Sequence, residues 1–149
     1  SGAVGADLAN LVNEGHDVAV IDKSPAVIEE VTNAYDVIGL CGIGTDCEVL
    51  AEAGAAKADI VIGVTGSDEL NMLACFIART LGAKNTVARI RDPEYNESLT
   101  LLQRELGIYG WTASAFCRDK SGSIGGAYYC KYSQVPFSGQ HRNLCLKKI

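Results

Sequence analysis

The chain has 149 residues with 13 Lys and Arg against 18 Asp and Glu, a formal charge of −5. That length suffices for one domain with a core of its own. Charge is unevenly placed: residues 1–108 carry 17 acidic and 7 basic side chains, a balance of −10, whereas 109–149 carry 1 and 6, a balance of +5. The acidic body argues against nucleic acid as a partner, no apolar run is long enough to insert in a membrane, and no stretch has the make-up of a signal peptide.

The first twenty-two residues set the layout. Gly2 and Gly5, in Ser1-Gly2-Ala3-Val4-Gly5, have the spacing of the second and third glycines of G-x-G-x-x-G, with the first glycine falling one residue before Ser1. Beginning inside a motif and without an initiator Met, the sequence reads as a fragment. In the full motif the second glycine admits a pyrophosphate to the backbone and the third lets a helix pack closely on the sheet. The helix it opens offers free N–H groups and partial positive charge to phosphates. Ala6 to Glu14 fits that helix, with Gly15 placed to stop it. Val18-Ala19-Val20-Ile21 is an apolar run of the buried parallel-strand kind, ending at Asp22. A carboxylate about 20 residues past the glycines is placed to hold a ribose 2′-hydroxyl and to repel the extra phosphate of NADP. The plain alternative is two helix-packing glycines and a solvated Asp.

Ser24-Pro25 predicts a second helix with Val27, Ile28 and Val31 inward. Asp36 to Cys41 reads as a strand. Thr45 and Glu48 have capping-box spacing and open a short helix stopped by Gly54. Asp59-Ile60-Val61-Ile62-Gly63-Val64 is a strand covered on both faces. After the turn Thr65-Gly66-Ser67-Asp68, the positions Leu70, Leu73, Ala74, Ile77, Ala78 and Leu81 mark the clearest helix, ended by Gly82. Thr86 to Ile90 is a further strand candidate, and Asp92-Pro93 introduces a last helix through Leu99, Leu102 and Leu106 to Gly107.

Alternating strands and helices mean βαβ units, so the predicted fold is α/β: a Rossmann-like doubly wound parallel sheet. In the order 3-2-1-4-5-6 the first strand is central. It would lie before Ser1, which leaves the sheet without the strand joining its halves. Residues 1–108 form the predicted dinucleotide-binding body and 109–149 an irregular tail. From Tyr109 periodicity stops, and Trp111, Phe116, Tyr128, Tyr129, Tyr132 and Phe137 are scattered among Gly, Ser and Lys. The tail is either loosely packed or the product of a shifted reading frame or other non-native join, although Ala127 to Tyr132 has the make-up of a short strand and is the one candidate to fill the central gap.

Six cysteines, with no C-x-x-C pair and only His16 and His141 beside them, do not make a zinc site. Cys41 in a strand and Cys75 in a helix read as buried reduced thiols.

The segments Gly2 to Gly5, Glu14 to Lys23, Ala51 to Gly54, Ala58 to Asn71 and Ala88 to Tyr95 resemble the RCK, or TrkA-N, domain of Trk-type potassium-uptake regulatory proteins, over Ser1 to about Ile108. The resemblance implies a regulatory subunit that binds NAD or NADH, with ATP or ADP as alternatives. It would form a homo-oligomeric ring beneath a potassium-translocating membrane subunit, in the cytoplasm at the inner face of the cell membrane. It implies that Gly2, Ala3, Val4 and Gly5 meet the pyrophosphate, Asp22 the adenosine ribose and Lys23 the neighbouring edge. Gly44 and Thr45 would line the adenine side, and Thr65 would border the dinucleotide. Two positions depart from the family: Ala3, often polar or charged there, and Ile43, commonly Asp. Beyond Ile108 the family's sixth strand and helix are not recognisable.

Three functions stand at this point: a ligand-sensing regulatory module without catalysis, a small NAD-dependent oxidoreductase, and a truncated non-functional product. Hydride transfer requires a substrate pocket and a positioned acid or base, and neither histidine follows a strand. Arg89 and Arg91 read as anion ligands or as surface charges, and Asp68 and Asn71 as polar ligands or as helix caps.

Overall fold

The computed structural model describes residues 15–111 and 143–147. The elements are β1 (Asp17–Asp22), α1 (Pro25–Ala34), β2 (Ile38–Cys41), α2 (Cys47–Glu52), a 3-10 turn (Ala55–Lys57), β3 (Ile60–Gly63), α3 (Asp68–Leu81), β4 (Thr86–Arg89), a second 3-10 turn (Pro93–Tyr95), α4 (Asn96–Leu106), β5 (Ile108–Trp111) and β6 (Asn143–Lys147). All paired strands run parallel, in the order β2-β1-β6-β3-β4-β5.

That order is the doubly wound one, with one difference from the expected gap. The central position is filled by β6, in register with β1 (Ala19 opposite Cys145) and with β3 (Val61 opposite Cys145). The half sheets are therefore joined, and the joining strand is not the Ala127 to Tyr132 candidate, which lies outside the described residues. Asn143-Leu144-Cys145-Leu146-Lys147 has the apolar centre that a strand flanked on both sides requires. The regular body also passes the predicted boundary at residue 108: β5 runs from Ile108 to Trp111 beside β4 and supplies the sixth strand that the sequence left unrecognised.

Side chains alternate across β1 and β3 as strand geometry demands. Ala19, Ile21 and Val61 join Leu50, Ala55, Ala58, Ala78 and Ala83 on one face, where α2 and α3 pack. Val18, Val20, Ile60 and Ile62 join Val87 on the other, covered by Ile28 and Val31 of α1. A third cluster, Cys75, Ala88, Ile90 and Ile108, closes the β4–β5 end.

Three local expectations change. In α3 the residues against the sheet are Asn71, Ala74, Cys75 and Ala78, while Leu70 and Leu73 are exposed. The small stripe is inward because the helix comes so close that a Cβ on Gly63 would meet the Asn71 carbonyl oxygen at 2.9 Å. The cap of α2 is Asp46, not Thr45, and its carboxylate accepts the Glu48 N–H at 2.9 Å. Cys41 is exposed, not buried, because β2 is an edge strand; Cys75 is buried as expected.

Candidate functional site

The crevice of an open α/β sheet lies outside the carboxyl ends of its strands where the chain turns in opposite directions. Here β1 leads through α1 to β2 on one side, and β3 leads through α3 to β4 on the other, so that point is at β6.

On the β1 side the last strand residue is Asp22, 2% exposed. One carboxylate oxygen accepts the Ser24 N–H at 2.9 Å, which fixes the side chain at the strand end, and the Asp22 carbonyl accepts the Gly42 N–H at 3.0 Å. The second bond ties the turn after β2 to the end of β1. The structure thus brings together Asp22 and the Gly42 to Asp46 turn, with Gly44 buried and Thr45 half-buried. Lys23 is exposed beside them, and its carbonyl accepts the Cys41 thiol at 3.7 Å.

On the β3 side Thr65 is buried, and its hydroxyl oxygen accepts the Ser67 N–H at 3.1 Å, tightening the turn into α3. Ser67 caps that helix by accepting the Leu70 N–H at 3.3 Å. Gly2, Ala3, Val4 and Gly5 lie outside the described residues.

The side chains of Asp68 and Asn71 do not cap α3, a place taken by Ser67. The Asn71 amide oxygen accepts the Thr65 N–H at 2.6 Å, and its nitrogen donates to the Arg89 carbonyl at 2.8 Å and the Thr65 carbonyl at 3.3 Å. Asp68 Oδ2 accepts the N–H groups of Arg91 and Asp92, both at 2.8 Å, while Oδ1 lies 3.6 Å from Arg91 Nε. These two side chains lock the ends of β3 and β4 together. Arg91 also donates to the Gly66 carbonyl. An open pocket of about 420 Å³ lies here, lined by Gly66 to Glu69 with Arg91 and Asp92.

Glu69 receives the Tyr95 hydroxyl at 2.8 Å and the Ser67 hydroxyl at 2.9 Å. Its carboxyl is held below its ordinary pKa by a hydrogen bond from the backbone N–H of Glu69 itself, then by those two hydroxyls, and the Tyr95 hydroxyl is pushed up by the same contact. Sequence reasoning did not find this pair; the residues are 26 apart and only the sheet order joins them.

Among the described residues no cluster of His, Cys, Asp and Glu is arranged to hold a metal ion, and no helix is long and apolar enough to cross a membrane. The donor set does fit a nucleotide: a fixed carboxylate at one strand end, and across the crevice a glycine, Gly66, whose Cβ position has nothing within 4 Å.

Fold and crevice define a Rossmann-like α/β domain of the nucleotide-binding kind. Residues 1–108 match the family model of the TrkA-N domain, and the chain belongs to that family. It is 36% identical over 98 residues to a Trk system potassium uptake protein TrkA homolog of Methanothermobacter thermautotrophicus, covering 65% of this chain and 45% of the relative. It is 44% identical over 97 residues to the Trk system potassium uptake protein TrkA of Vibrio alginolyticus, covering 64% and 21%. The chain thus spans less than half the length of these relatives. Two solved structures share the fold. The NAD(P)-binding domain of an exopolyphosphatase-related protein from Archaeoglobus fulgidus has a TM-score of 0.62 at 17% identity, over 90% of this chain and 92% of that one. The GsuK channel bound to NAD has a TM-score of 0.54 at 23% identity, over 63% and 17%.

Proposed function

We propose that the chain is a nucleotide-sensing regulatory domain of a Trk-type potassium uptake system, binding NAD or NADH in the crevice at the carboxyl edge of the sheet. The observation that carries this reading is Asp22: a buried carboxylate at the end of β1, beside the switch point, with one oxygen already held by the Ser24 N–H. It has the position and acceptor chemistry for a ribose diol, and its charge opposes a 2′-phosphate. Gly44 and Thr45 in the turn tied to Asp22 line the adenine side, Lys23 and Thr65 flank the dinucleotide, and Gly2, Ala3, Val4 and Gly5 supply the phosphate turn.

The relatives' names, potassium uptake proteins, support a place beside a potassium-translocating membrane subunit at the inner face of the membrane. Bound nucleotide acts by favouring one arrangement of subunits over another, through different affinities for the two. The domain turns over no substrate in this reading. The open pocket beside the crevice is lined by Asp68, Glu69, Arg91 and Asp92, and these groups are engaged with one another, with backbone, or, for Glu69, with the Ser67 and Tyr95 hydroxyls.

Calorimetric titration with NAD, NADH and NADP tests it. NAD or NADH should bind more tightly than NADP, and Asp22→Ala should weaken NAD by about 1 to 3 kcal/mol, the scale of a lost hydrogen bond to a charged group. NADP binding as tightly as NAD would overturn the Asp22 assignment, and no binding of any of the three would overturn the nucleotide reading.

A further inference from the structure

Thr65 stands at the carboxyl end of β3, beside the crevice, yet every polar group it carries is engaged inside the protein. Its N–H is taken by the Asn71 amide oxygen at 2.6 Å, and its carbonyl accepts from the Asn71 amide nitrogen at 3.3 Å. Its hydroxyl donates to the Ser67 carbonyl at 3.0 Å, and the same oxygen accepts the Ser67 N–H at 3.1 Å. The residue is 1% exposed. A hydroxyl has one proton to give, so while Thr65 holds Ser67 in this way it has no donor left for a ligand.

What these bonds hold is the turn between β3 and α3. The reciprocal pair with Ser67 closes the turn on itself, and the Asn71 amide fastens its first residue to the helix. Gly66 is left on the outside: it is exposed, no atom lies within 4 Å of its Cβ position, and its carbonyl accepts from Arg91. The surface that the turn offers a ligand is therefore the backbone of Gly66. A loop already held in its bound shape loses less freedom when a ligand arrives, so the bonds of Thr65 bear on affinity without touching the ligand.

We propose that Thr65 is a positioning residue of the nucleotide crevice: its hydroxyl holds the 65–67 turn in the shape that receives the nucleotide at Gly66, and does not itself contact the ligand. This rests on the nucleotide reading above and separates two roles that a border position leaves open, contact and support.

Two measurements on the full chain test it. The first follows amide exchange of Ser67 by NMR in the wild type, with and without NAD. The amide should stay protected in the complex, because its acceptor remains the Thr65 hydroxyl oxygen. Faster exchange on binding would show that the hydroxyl has turned to the ligand, and would overturn the proposal. The second is calorimetry with NAD on the wild type, Thr65→Val and Thr65→Ser, with thermal unfolding of each. The valine variant loses both bonds to Ser67 and should bind NAD roughly fivefold more weakly, with faster Ser67 exchange before any NAD is added. The serine variant keeps the hydroxyl, so it should bind as the wild type does although the loss of a buried methyl group lowers its melting temperature. Affinity that falls in step with melting temperature across both variants would make Thr65 a structural residue only. If the wild type binds NAD and the valine variant binds it equally well, the turn needs no such support and the nucleotide reading stands. A wild type that binds no NAD would end the nucleotide reading and this proposal with it.

Discussion

The amide of Asn71 accepts the Thr65 N–H at 2.6 Å and donates to the Arg89 carbonyl at 2.8 Å, so one side chain in the first turn of α3 fastens the ends of two neighbouring strands. Asn71 is fully buried. Asn71→Ala would take its acceptor from the buried Thr65 N–H and one donor from the part-buried Arg89 carbonyl. The expected cost is about 1 to 3 kcal/mol, that of leaving a buried group unpaired. Chemical denaturation measures it, and a cost below about 1 kcal/mol would show that the clamp is dispensable.

The same close approach governs Gly63. A methyl there would stand 2.9 Å from the Asn71 carbonyl oxygen and 3.1 Å from its Cα. Both atoms are backbone and cannot swing aside. Gly63→Ala should destabilise by about 1 to 3 kcal/mol through forced displacement of α3. Gly66→Ala, where nothing lies within 4 Å, should be far milder, which makes it the matched control.

The Glu69–Tyr95 hydrogen bond joins the first turn of α3 to the 3-10 turn after β4. Glu69 has a lowered pKa in the folded state, so its contribution is present above the unfolded carboxyl value and is lost as pH falls through the folded one. Tyr95 is raised, so its part is present below the unfolded phenol value and is lost as pH rises through the folded one. NMR titration of Tyr95→Phe should show the Glu69 carboxyl moving up toward its ordinary value. An unchanged titration would mean that the contact is absent in solution.

Leu70, Leu73 and Phe76, three residues apart along α3, are 36%, 46% and 44% exposed. This outward apolar stripe fits the ring assembly of the proposed function, because a second copy would cover it. The double change Leu73→Glu and Phe76→Glu should leave thermal stability nearly unchanged and reduce the oligomer seen by sedimentation. An unaltered oligomer would place the subunit contact elsewhere.

These side chains also show what the sequence did and did not reveal. Helix α3 carries two stripes at helical spacing, one through Leu70, Leu73, Ala74, Ile77 and Ala78, the other through Asn71, Ala74, Cys75 and Ala78. Hydrophobicity favoured the first, but the closeness of Gly63 selects the second at the amino-terminal end, because only small residues and the hydrogen-bonded Asn71 fit there. The apolar runs of β1 and β3 were legible because central parallel strands need both faces apolar. Strand β6 was not. Leu144-Cys145-Leu146 is three apolar residues in a basic tail, and its partners Ala19 of β1 and Val61 of β3 lie 126 and 84 residues before Cys145. That Asp22 ends a buried strand was legible from the apolar run before it. The clamp roles of Asp68 and Asn71 were not, because they depend on β3 and β4 ending side by side.

Hydrogen exchange of the full chain, with and without NAD, tests the account most directly, because the crevice depends on β6 lying between β1 and β3 and the function depends on nucleotide entering it. Amides of Leu144 to Leu146 should exchange as slowly as those of Val18 to Ile21 and Ile60 to Ile62, since both edges of β6 are hydrogen-bonded. NAD should add protection at 20–24, 42–46 and 63–67. Rapid exchange of 144–146, or protection by NAD that leaves all three of those segments unchanged, would contradict it.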